Sequence, residues 1–209
     1  MSTDARVRAF DLALAVLLLP ALAPFAAGTA AVVLLCLGRP VLYAGRRVGR
    51  HGVEYVHYKF RTMCPGPEVG RVFFEQARLG RCGRLLRTLH LDELPELWHI
   101  LRGEMSFVGP RPLPRSLLSG LDSTVREQVP PGWTGPAQIW LLERGRLDKR
   151  HQIELDNHYV ERRSLGHNLR LLATTLLRVV RPAALDLRPD ASFDRRRFAT
   201  AERTQEMKP

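Results

Sequence analysis

The chain has 209 residues, 45% of them hydrophobic and 25% charged, and its formal net charge at pH 7 is +11. This length and apolar content are typical of one folded domain and exclude a disordered or collagen-like chain. The cysteines Cys36, Cys64 and Cys82 are odd in number and far apart, which argues against a disulfide scaffold and a zinc finger.

Arginine accounts for nearly all of the positive charge, since only Lys59, Lys149 and Lys208 are lysine. Guanidinium groups make forked contacts with phosphate and carboxylate, so the partners indicated are nucleic acid, a phospholipid surface or a phosphorylated small molecule. We expect no nucleic-acid partner, because the chain has no basic patch interleaved with aromatic residues and carries a long apolar segment.

The first predicted element is an uncharged apolar segment from Leu12 to Leu37. As a helix it would be about 39 Å long, enough to cross the hydrocarbon core of a bilayer. Pro20 and Pro24 lie near its middle and arginines flank both ends, so the positive-inside rule gives no orientation. We predict a re-entrant helix over residues 1–39 that is broken at Pro24 and has both ends on the cytoplasmic face.

Two alternatives to this re-entrant helix stay open. One is a helix that spans the membrane. The other is a cleaved signal peptide ending at Ala21-Leu22-Ala23, although the apolar segment continues well beyond that point. An odd number of widely spaced cysteines agrees with a cytoplasmic location for the rest of the chain.

A β-hairpin is predicted next, because two short segments rich in β-branched and aromatic residues are separated by a stretch of Gly and Arg. These segments are Val41–Tyr43 and Val53–Phe60. Helical patterns dominate after Arg81. The fold class expected is therefore α+β and mainly helical.

A helix is predicted from Asp92 to Arg102, with Leu94, Leu97, Trp98 and Leu101 on one face. Proline is tolerated in a first helical turn, which places the Asp92-Glu93 pair at the helix start. Capping of backbone N–H groups would by itself explain two carboxylates there.

The neighbouring arginines indicate more than capping. Arg87 precedes the acidic pair, and Arg111 follows it between two prolines that restrict its backbone. Arginines and carboxylates at a helix start make a site where phosphate and a divalent metal could meet. A structural network of salt bridges would use the same residues, and spacing alone does not decide between the two.

The last predicted helix, Asn168 to Arg181, has an apolar face bordered by arginines, formed by Leu169, Leu172, Ala173, Leu176, Leu177 and Val180. Such a helix can lie flat on an anionic membrane, or it can be an ordinary core helix. Residues 182–209 are charged and poor in apolar periodicity, so we expect a loosely ordered tail.

Several motifs, taken together, carry a family resemblance over about Arg8 to Arg181. They are Lys59-Phe60-Arg61-Thr62-Met63, Leu91-Asp92-Glu93-Leu94-Pro95, Met105-Ser106-Phe107-Val108-Gly109-Pro110-Arg111-Pro112, Pro131-Gly132-Trp133-Thr134-Gly135 and Glu154-Leu155-Asp156. With these motifs the chain resembles the bacterial sugar transferases, the monotopic polyprenol-phosphate phosphoglycosyl transferases. The Asp-Glu-Leu-Pro and Val-Gly-Pro-Arg-Pro blocks at this separation are the most specific.

The resemblance implies an enzyme that moves a sugar 1-phosphate from a UDP-sugar to undecaprenyl phosphate and releases UMP. This step starts a cell-surface glycan such as an exopolysaccharide or lipopolysaccharide. In this family the Asp of the Asp-Glu pair attacks the phosphate next to the sugar, which gives a covalent phosphosugar-Asp intermediate, and Mg²⁺ is required. The resemblance also implies the bacterial inner membrane, contact with phospholipid, an active site on the cytoplasmic face and, as a possibility, a homodimer.

Carried over residue by residue, the resemblance implies that Asp92 is the nucleophile and a Mg²⁺ ligand, with Glu93 as its catalytic partner. It implies that Lys59, Arg87 and Arg111 bind the substrate phosphates. A carboxylate at a helix N-terminus is expected to stay ionised, and therefore nucleophilic, at neutral pH. The domains expected are the membrane helix at 1–39, a membrane-associated catalytic domain at 40–181 with amphipathic helices at the membrane interface, and the tail at 182–209.

The chain departs from the family pattern at four positions near the acidic pair. His90 stands where Ser is usual, Glu96 and His99 replace Gln and Asn, and Glu104 replaces Asp. These changes leave the identity of the sugar open. The competing hypothesis is a non-catalytic basic scaffold at the membrane, in which Asp92 would have no chemical role.

Overall fold

The computed structural model describes residues 2–64 and 79–180, apart from the side chain of Val180. The elements in chain order are α1 Thr3–Leu37, β1 Leu42–Val48, β2 Glu54–Phe60, α2 Arg81–Thr88, α3 Glu96–Arg102, β3 Ser106–Val108, β4 Gly132–Thr134, α4 Pro136–Arg144, α5 Lys149–Glu161 and α6 Leu165–Val180. The described residues are thus mainly helical with small sheets, as predicted. The predicted tail lies outside them.

Helix α1 is one continuous helix of 35 residues. Its residues are helical through Pro20 and Pro24, so neither proline ends the helix, and a change of its direction at Pro24 stays a prediction. Each proline removes one N–H donor, but the hydrogen bonds on either side persist and keep the helix intact. Within the described residues α1 is long and apolar enough to cross a membrane; its re-entrant course stays a prediction.

Both ends of α1 are held by the domain that follows it. Near the N-terminus, Arg8 donates a hydrogen bond to the Leu101 carbonyl at 2.8 Å. The buried Asp11 carboxylate accepts one from the Phe107 backbone N–H of β3 at 3.2 Å. At the other end, Arg61 donates to the Gly38 carbonyl at 2.8 Å. The whole of α1 therefore belongs to the compact unit that extends to Arg178.

The last turn of α1 also meets the start of α2. Cys36 Sγ lies 2.7 Å from Cys82 Sγ, although 46 positions separate the two residues in the sequence. Sequence spacing gave no reason to associate these cysteines.

The predicted hairpin is confirmed: β1 and β2 are antiparallel, with Leu42 opposite Phe60 and Val48 opposite Glu54. Strand β1 is longer than predicted, because the Gly-Arg stretch expected to connect the strands pairs with β2 as well. Antiparallel pairing uses backbone groups, so Gly and Arg are accommodated where the strand faces solvent.

A parallel pair of short strands, β3 and β4, joins two of the sequence motifs, with Ser106 opposite Gly132. The backbones approach so closely that a Cβ atom at Gly132 would lie 2.0 Å from Gly109 N, and one at Gly135 would lie 2.2 Å from Gly109 O. Glycine is therefore required at these positions by packing between backbones.

The main core connects α1, α3, β3 and α5 through Ala15, Leu97, Ile100, Met105, Phe107, Val108, Val129 and Tyr159. A second cluster, Val33, Phe60 and Leu86, joins α1 to β2 and α2. Since β2 carries Lys59 and α2 carries Arg87, this second cluster fixes two of the predicted site residues against α1.

Helix α6 begins at Leu165, three residues before the predicted start. Much of its predicted apolar face is open to solvent: Leu169, Leu176 and Leu177 are 46%, 63% and 62% exposed. The side that faces the protein includes Thr175, whose hydroxyl lies 2.7 Å from that of Thr134. The predicted face is therefore not that of an ordinary core helix; its contact with membrane stays a prediction.

Candidate active site

The acidic pair lies in a short 3-10 turn, Leu91–Glu93, between α2 and α3. The predicted helix start at Asp92 is therefore wrong, since α3 begins at Glu96 with Pro95 in the capping position. A proline N atom has no hydrogen to donate, so it suits the point where helical N–H groups lack partners. The acidic residues are left in the tighter turn before it.

The Asp92 side chain is buried, with 8% of the residue exposed. Burial raises the pKa of Asp92, the neighbouring Glu93 carboxylate raises it further, and Lys59 and Arg87 oppose both effects; the pKa lies above its ordinary value. Asp92 does not lie at the α-helix terminus, so a helix N-terminus is not the reason for ionisation here. Nearby cations are what favour its ionised form.

Lys59, near the end of β2, makes two ion pairs. Its Nζ atom lies 2.5 Å from Glu93 Oε1 and 2.9 Å from Glu96 Oε1. Burial lowers the pKa of Lys59, but the two carboxylates outweigh burial and raise it above its ordinary value. Lys59 is thus a permanent cation held by carboxylates, and its contact with substrate phosphate stays a prediction.

Arg87 is placed beside this group by a close approach of α2 to the end of β2. A Cβ atom at Gly83 would lie 1.9 Å from the Thr62 carbonyl oxygen, so only glycine permits the approach. Arg87 Nε then donates to Thr62 Oγ1 at 2.9 Å. The structure therefore brings four of the five predicted site residues, Lys59, Arg87, Asp92 and Glu93, into one group.

Arg111 belongs to a second cluster. Arg126 Nη2 donates to the Arg111 carbonyl at 2.5 Å, and Arg126 Nε lies 3.0 Å from Asp156 Oδ2. Burial raises the pKa of Asp156 to about 6, although Arg126 and the backbone and side chain of Arg111 lower it. The buried ion pair thus fixes the loop that carries Arg111. Burial lowers the pKa of the nearby Lys149, and the positive charges of Arg111 and Arg126 lower it further.

This second cluster predicts a pH-dependent difference between the wild type and Asp156→Asn. Because the folded pKa of Asp156 lies above the ordinary value of 3.8, its contribution to stability is greatest below pH 3.8 and is lost as the pH rises through about 6. Asparagine does not titrate. We expect the free energy of unfolding of the wild type, relative to Asp156→Asn, to fall by up to about 3 kcal/mol between pH 4 and 7.

Thermal or denaturant unfolding of both proteins across that pH range measures the difference. A difference that stays constant from pH 4 to 7 would show that Asp156 does not titrate in the folded protein in this range.

Sequence reasoning missed a buried polar layer formed by His57, Glu96 and His99, with the partly exposed Glu104 at its edge. Glu96, His99 and Glu104 were noted only as departures from the family pattern. Glu96 is 2% exposed, and His57 and His99 are each 1% exposed. Residues 57 and 59 point to the same face of β2, because side chains alternate along a strand. That alternation was the available signal that His57 accompanies Lys59.

Binding of Mg²⁺ by the acidic pair stays a prediction. Within the described residues, no group of three His, Cys, Asp or Glu side chains could hold a metal. Mg²⁺ usually binds one or two carboxylates and completes its shell with water and substrate phosphates. Asp92 and Glu93 are adjacent carboxylates in one short turn, so they would supply the one or two protein ligands of such an ion.

Comparison with known proteins gives one consistent family. The family described as bacterial sugar transferase matches residues 3–182. The uncharacterized sugar transferase EpsL of Bacillus subtilis is 39% identical over 176 residues, 83% of this chain and 86% of that protein. The exopolysaccharide production protein ExoY of Sinorhizobium fredii is 35% identical over 81% of this chain and 83% of that protein.

A further relative is the UDP-N-acetylgalactosamine-undecaprenyl-phosphate N-acetylgalactosaminephosphotransferase of Aeromonas hydrophila. It is 32% identical over 180 residues, which are 81% of this chain and 42% of that longer protein. Since the family matches nearly all of the sequence, the chain belongs to the bacterial sugar transferase family.

Proposed function

We propose that this protein transfers a sugar 1-phosphate from a UDP-sugar to undecaprenyl phosphate, releases UMP and thereby starts a cell-surface glycan. The observation that carries the proposal is the group around Asp92: a buried carboxylate, a second carboxylate next to it, and two cations that act on it. By its name, the Aeromonas relative acts on undecaprenyl phosphate, which supports the same acceptor here.

In the first step, an Asp92 oxygen attacks the phosphorus next to the sugar. The bond from that phosphorus to the bridging oxygen breaks, and UMP leaves with the electron pair. The products are UMP and a sugar phosphate joined to the Asp92 carboxyl as an acyl phosphate. Lys59 and Arg87 hold the attacking carboxylate ionised, and Arg87 also offers a guanidinium to the phosphoryl oxygens.

In the second step, a phosphate oxygen of undecaprenyl phosphate attacks the same phosphorus. The acyl bond breaks, Asp92 regains its carboxylate, and the lipid carries the sugar on a diphosphate. Because the two half-reactions share Asp92, the kinetics should be ping-pong. Mg²⁺, held by Asp92 with Glu93 beside it, would neutralise the phosphate charges when bound.

An apolar groove beside the acidic pair supports a lipid acceptor. It has a volume of about 410 Å³ and lies between α1 and the α2 region, lined by Pro24, Phe25, Gly28, Thr29, Val32, Leu85, Leu86, Leu89 and Leu91. Leu91 directly precedes Asp92. We place the first isoprene units of the acceptor in this groove, since that position would bring the lipid phosphate to Asp92.

The groove predicts the effect of Gly28→Leu. A Cβ atom at Gly28 meets nothing within 4 Å, so leucine would extend into the groove without disturbing its neighbours. Displacing about two buried CH₂ groups of the acceptor should raise its KM about tenfold. The burst of UMP released without acceptor should be unchanged, because the donor half-reaction does not use the groove.

The matched control is Gly166→Leu in α6, where a Cβ atom also meets nothing within 4 Å. It should leave both half-reactions unchanged. An unaltered acceptor KM in Gly28→Leu would exclude the groove as the acceptor site.

The location proposed is the cytoplasmic face of the bacterial inner membrane. Contact of both ends of α1 with one domain supports a helix that enters and leaves at the same face, since the ends of a spanning helix are separated by about 30 Å of hydrocarbon. Side chains such as Leu17 and Leu35, 73% and 86% exposed, would then face lipid, together with the exposed leucines of α6.

The proposal is tested by incubating the full-length protein in nanodiscs with Mg²⁺ and a panel of UDP-sugars, with and without undecaprenyl phosphate. Release of UMP from one of the sugars, sustained only when the acceptor is present, is the expected result. No release from any UDP-sugar by folded protein would overturn the proposed activity and favour a non-catalytic membrane scaffold.

A further inference from the structure

The buried polar layer lies directly behind the proposed catalytic group. It connects β2, through His57, to α3, through Glu96 and His99, and to Glu104, which follows α3. The rings of His57 and His99 are 5.5 Å apart. Ionisable groups are almost never buried unless they are paired, so each member of this layer must have a defined partner.

The hydrogen bonds of His99 define its protonation. Its Nε2 atom accepts the Tyr58 backbone N–H at 3.0 Å, so the ring proton is on Nδ1, which lies 2.6 Å from Glu104 Oε2. His99 is therefore a neutral ring that bridges β2 and the end of α3. Burial lowers the pKa of His99, in agreement with this neutral form.

Glu96 occupies the centre of the layer. Its Oε1 atom lies 2.9 Å from Lys59 Nζ and 3.2 Å from His57 Nε2. Burial raises the pKa of Glu96, but His57 and Lys59 outweigh burial and bring it below its ordinary value. Glu96 is thus a buried anion whose contacts both come from β2.

Lys59 therefore joins two carboxylates that belong to different elements. Glu93 is in the 3-10 turn and Glu96 is in the first turn of α3. A lysine side chain has a flexible stem and loses rotamer entropy when it is fixed. One partly exposed partner, Glu93, would offset little of that cost, whereas the second, buried carboxylate of Glu96 defines where the ammonium group lies.

We propose that Glu96, supported by His57, is a positioning residue that holds Lys59 against Glu93 and so orients the Asp92-Glu93 pair for reaction. The role in reaction rests on the proposed function, whereas the contact between Glu96 and Lys59 can be tested without it. At position 96 the family usually has Gln, whose side-chain oxygen can accept a hydrogen bond from a lysine as Glu96 does. Glu96 adds a negative charge to that acceptor.

The contact is tested by the reactivity of Lys59 toward reductive methylation. Only three lysines occur in the chain, so Lys149→Arg and Lys208→Arg in the full-length protein leave Lys59 as the sole side-chain amine. With ¹³C-formaldehyde in nanodiscs and EDTA, Glu96→Met should increase the methylation rate of Lys59 about tenfold. Loss of one ion pair that lowers the pKa of the amine by about one unit raises the fraction of free amine about tenfold.

Glu127→Met is the matched control, because Glu127 is also a largely buried carboxylate, 3.5 Å from Arg115, but it does not contact Lys59. The methylation rate of Lys59 in this variant should equal that in the parent protein. Equal rates for Glu96→Met and the parent would overturn the proposal, because Lys59 would then not be held by Glu96.

The consequence for reaction is tested with Glu96→Met, which keeps the side-chain volume but removes the acceptor. Its kcat should fall about tenfold or more, while the KM for the UDP-sugar stays within about threefold, because orientation rather than substrate binding is lost. Glu96→Gln should keep kcat within about threefold of the wild type, since an amide oxygen still accepts from Lys59.

A wild-type kcat in Glu96→Met would overturn the positioning role. If the wild type releases no UMP at all, the proposed function fails, and the methylation rates still decide whether Glu96 holds Lys59.

Discussion

Asp92→Asn is expected to abolish UMP release, with a loss of at least about a thousandfold. An amide nitrogen or oxygen at this position is a far weaker nucleophile than a carboxylate, and the acyl phosphate of the first half-reaction could not form. The fold should survive, because asparagine has nearly the same shape. UMP release and circular dichroism of the two proteins are the measurements.

The same substitution also tests the covalent intermediate. Wild-type protein incubated with a UDP-sugar but no acceptor should gain the mass of one sugar phosphate in intact-mass spectrometry, and Asp92→Asn should gain none. Asp122→Asn, at an exposed turn where Asp122 accepts from the Thr124 N–H at 3.1 Å, is the control and should behave as the wild type. Retention of UMP release by Asp92→Asn would exclude Asp92 as the nucleophile.

The local elements could be predicted because their patterns lie within short stretches of sequence. The strand residues of the hairpin and the helical face formed by Leu97 and Leu101 are examples. The boundary at Asp92 could not be predicted in this way, because both a helical first turn and a 3-10 turn accept proline three residues later. Tertiary contacts to the turn, such as that of Lys59 with Glu93, are not visible in the local pattern.

The contacts between residues far apart in the sequence could not be predicted, for a different reason. The contact of Cys36 with Cys82 and the ion pair of Arg126 with Asp156 join segments whose own periodicities contain no information about each other. The parallel pairing of β3 with β4 is likewise a product of tertiary packing. Glycines in the motifs at 109 and 132 are the sequence trace of that packing, but they do not name their partner.

In the candidate site, too, local motifs could be read from the sequence whereas long-range contacts could not. The structure brings Lys59, Arg87, Asp92 and Glu93 together. The contacts of Arg111, in contrast, are with Arg126 and Asp156. Their roles in binding phosphate stay predictions. The buried layer behind Lys59 needed the register of β2 against α3, which only the structure supplies.

Arg87→Ala is expected to lower kcat/KM for the UDP-sugar about a hundredfold. The guanidinium acts on Asp92, and in the proposed reaction it also neutralises charge on the transferring phosphoryl group. Arg87→Lys should recover only part of the loss, because an ammonium group cannot make a forked contact. The matched control is Arg84→Ala on the same helix, whose side chain is exposed.

A substitution at Thr62 tests the positioning of the Arg87 side chain separately from its charge. Since Thr62 Oγ1 accepts from Arg87 Nε at 2.9 Å, Thr62→Val should leave the charge in place but free the side chain, with a loss of about three- to tenfold. In the double variant with Arg87→Ala, loss of Thr62 should add nothing, because the partner it orients is already absent. Additive losses would mean that Thr62 acts on the reaction independently of Arg87, and an Arg87→Ala variant as active as Arg84→Ala would remove Arg87 from the phosphate site.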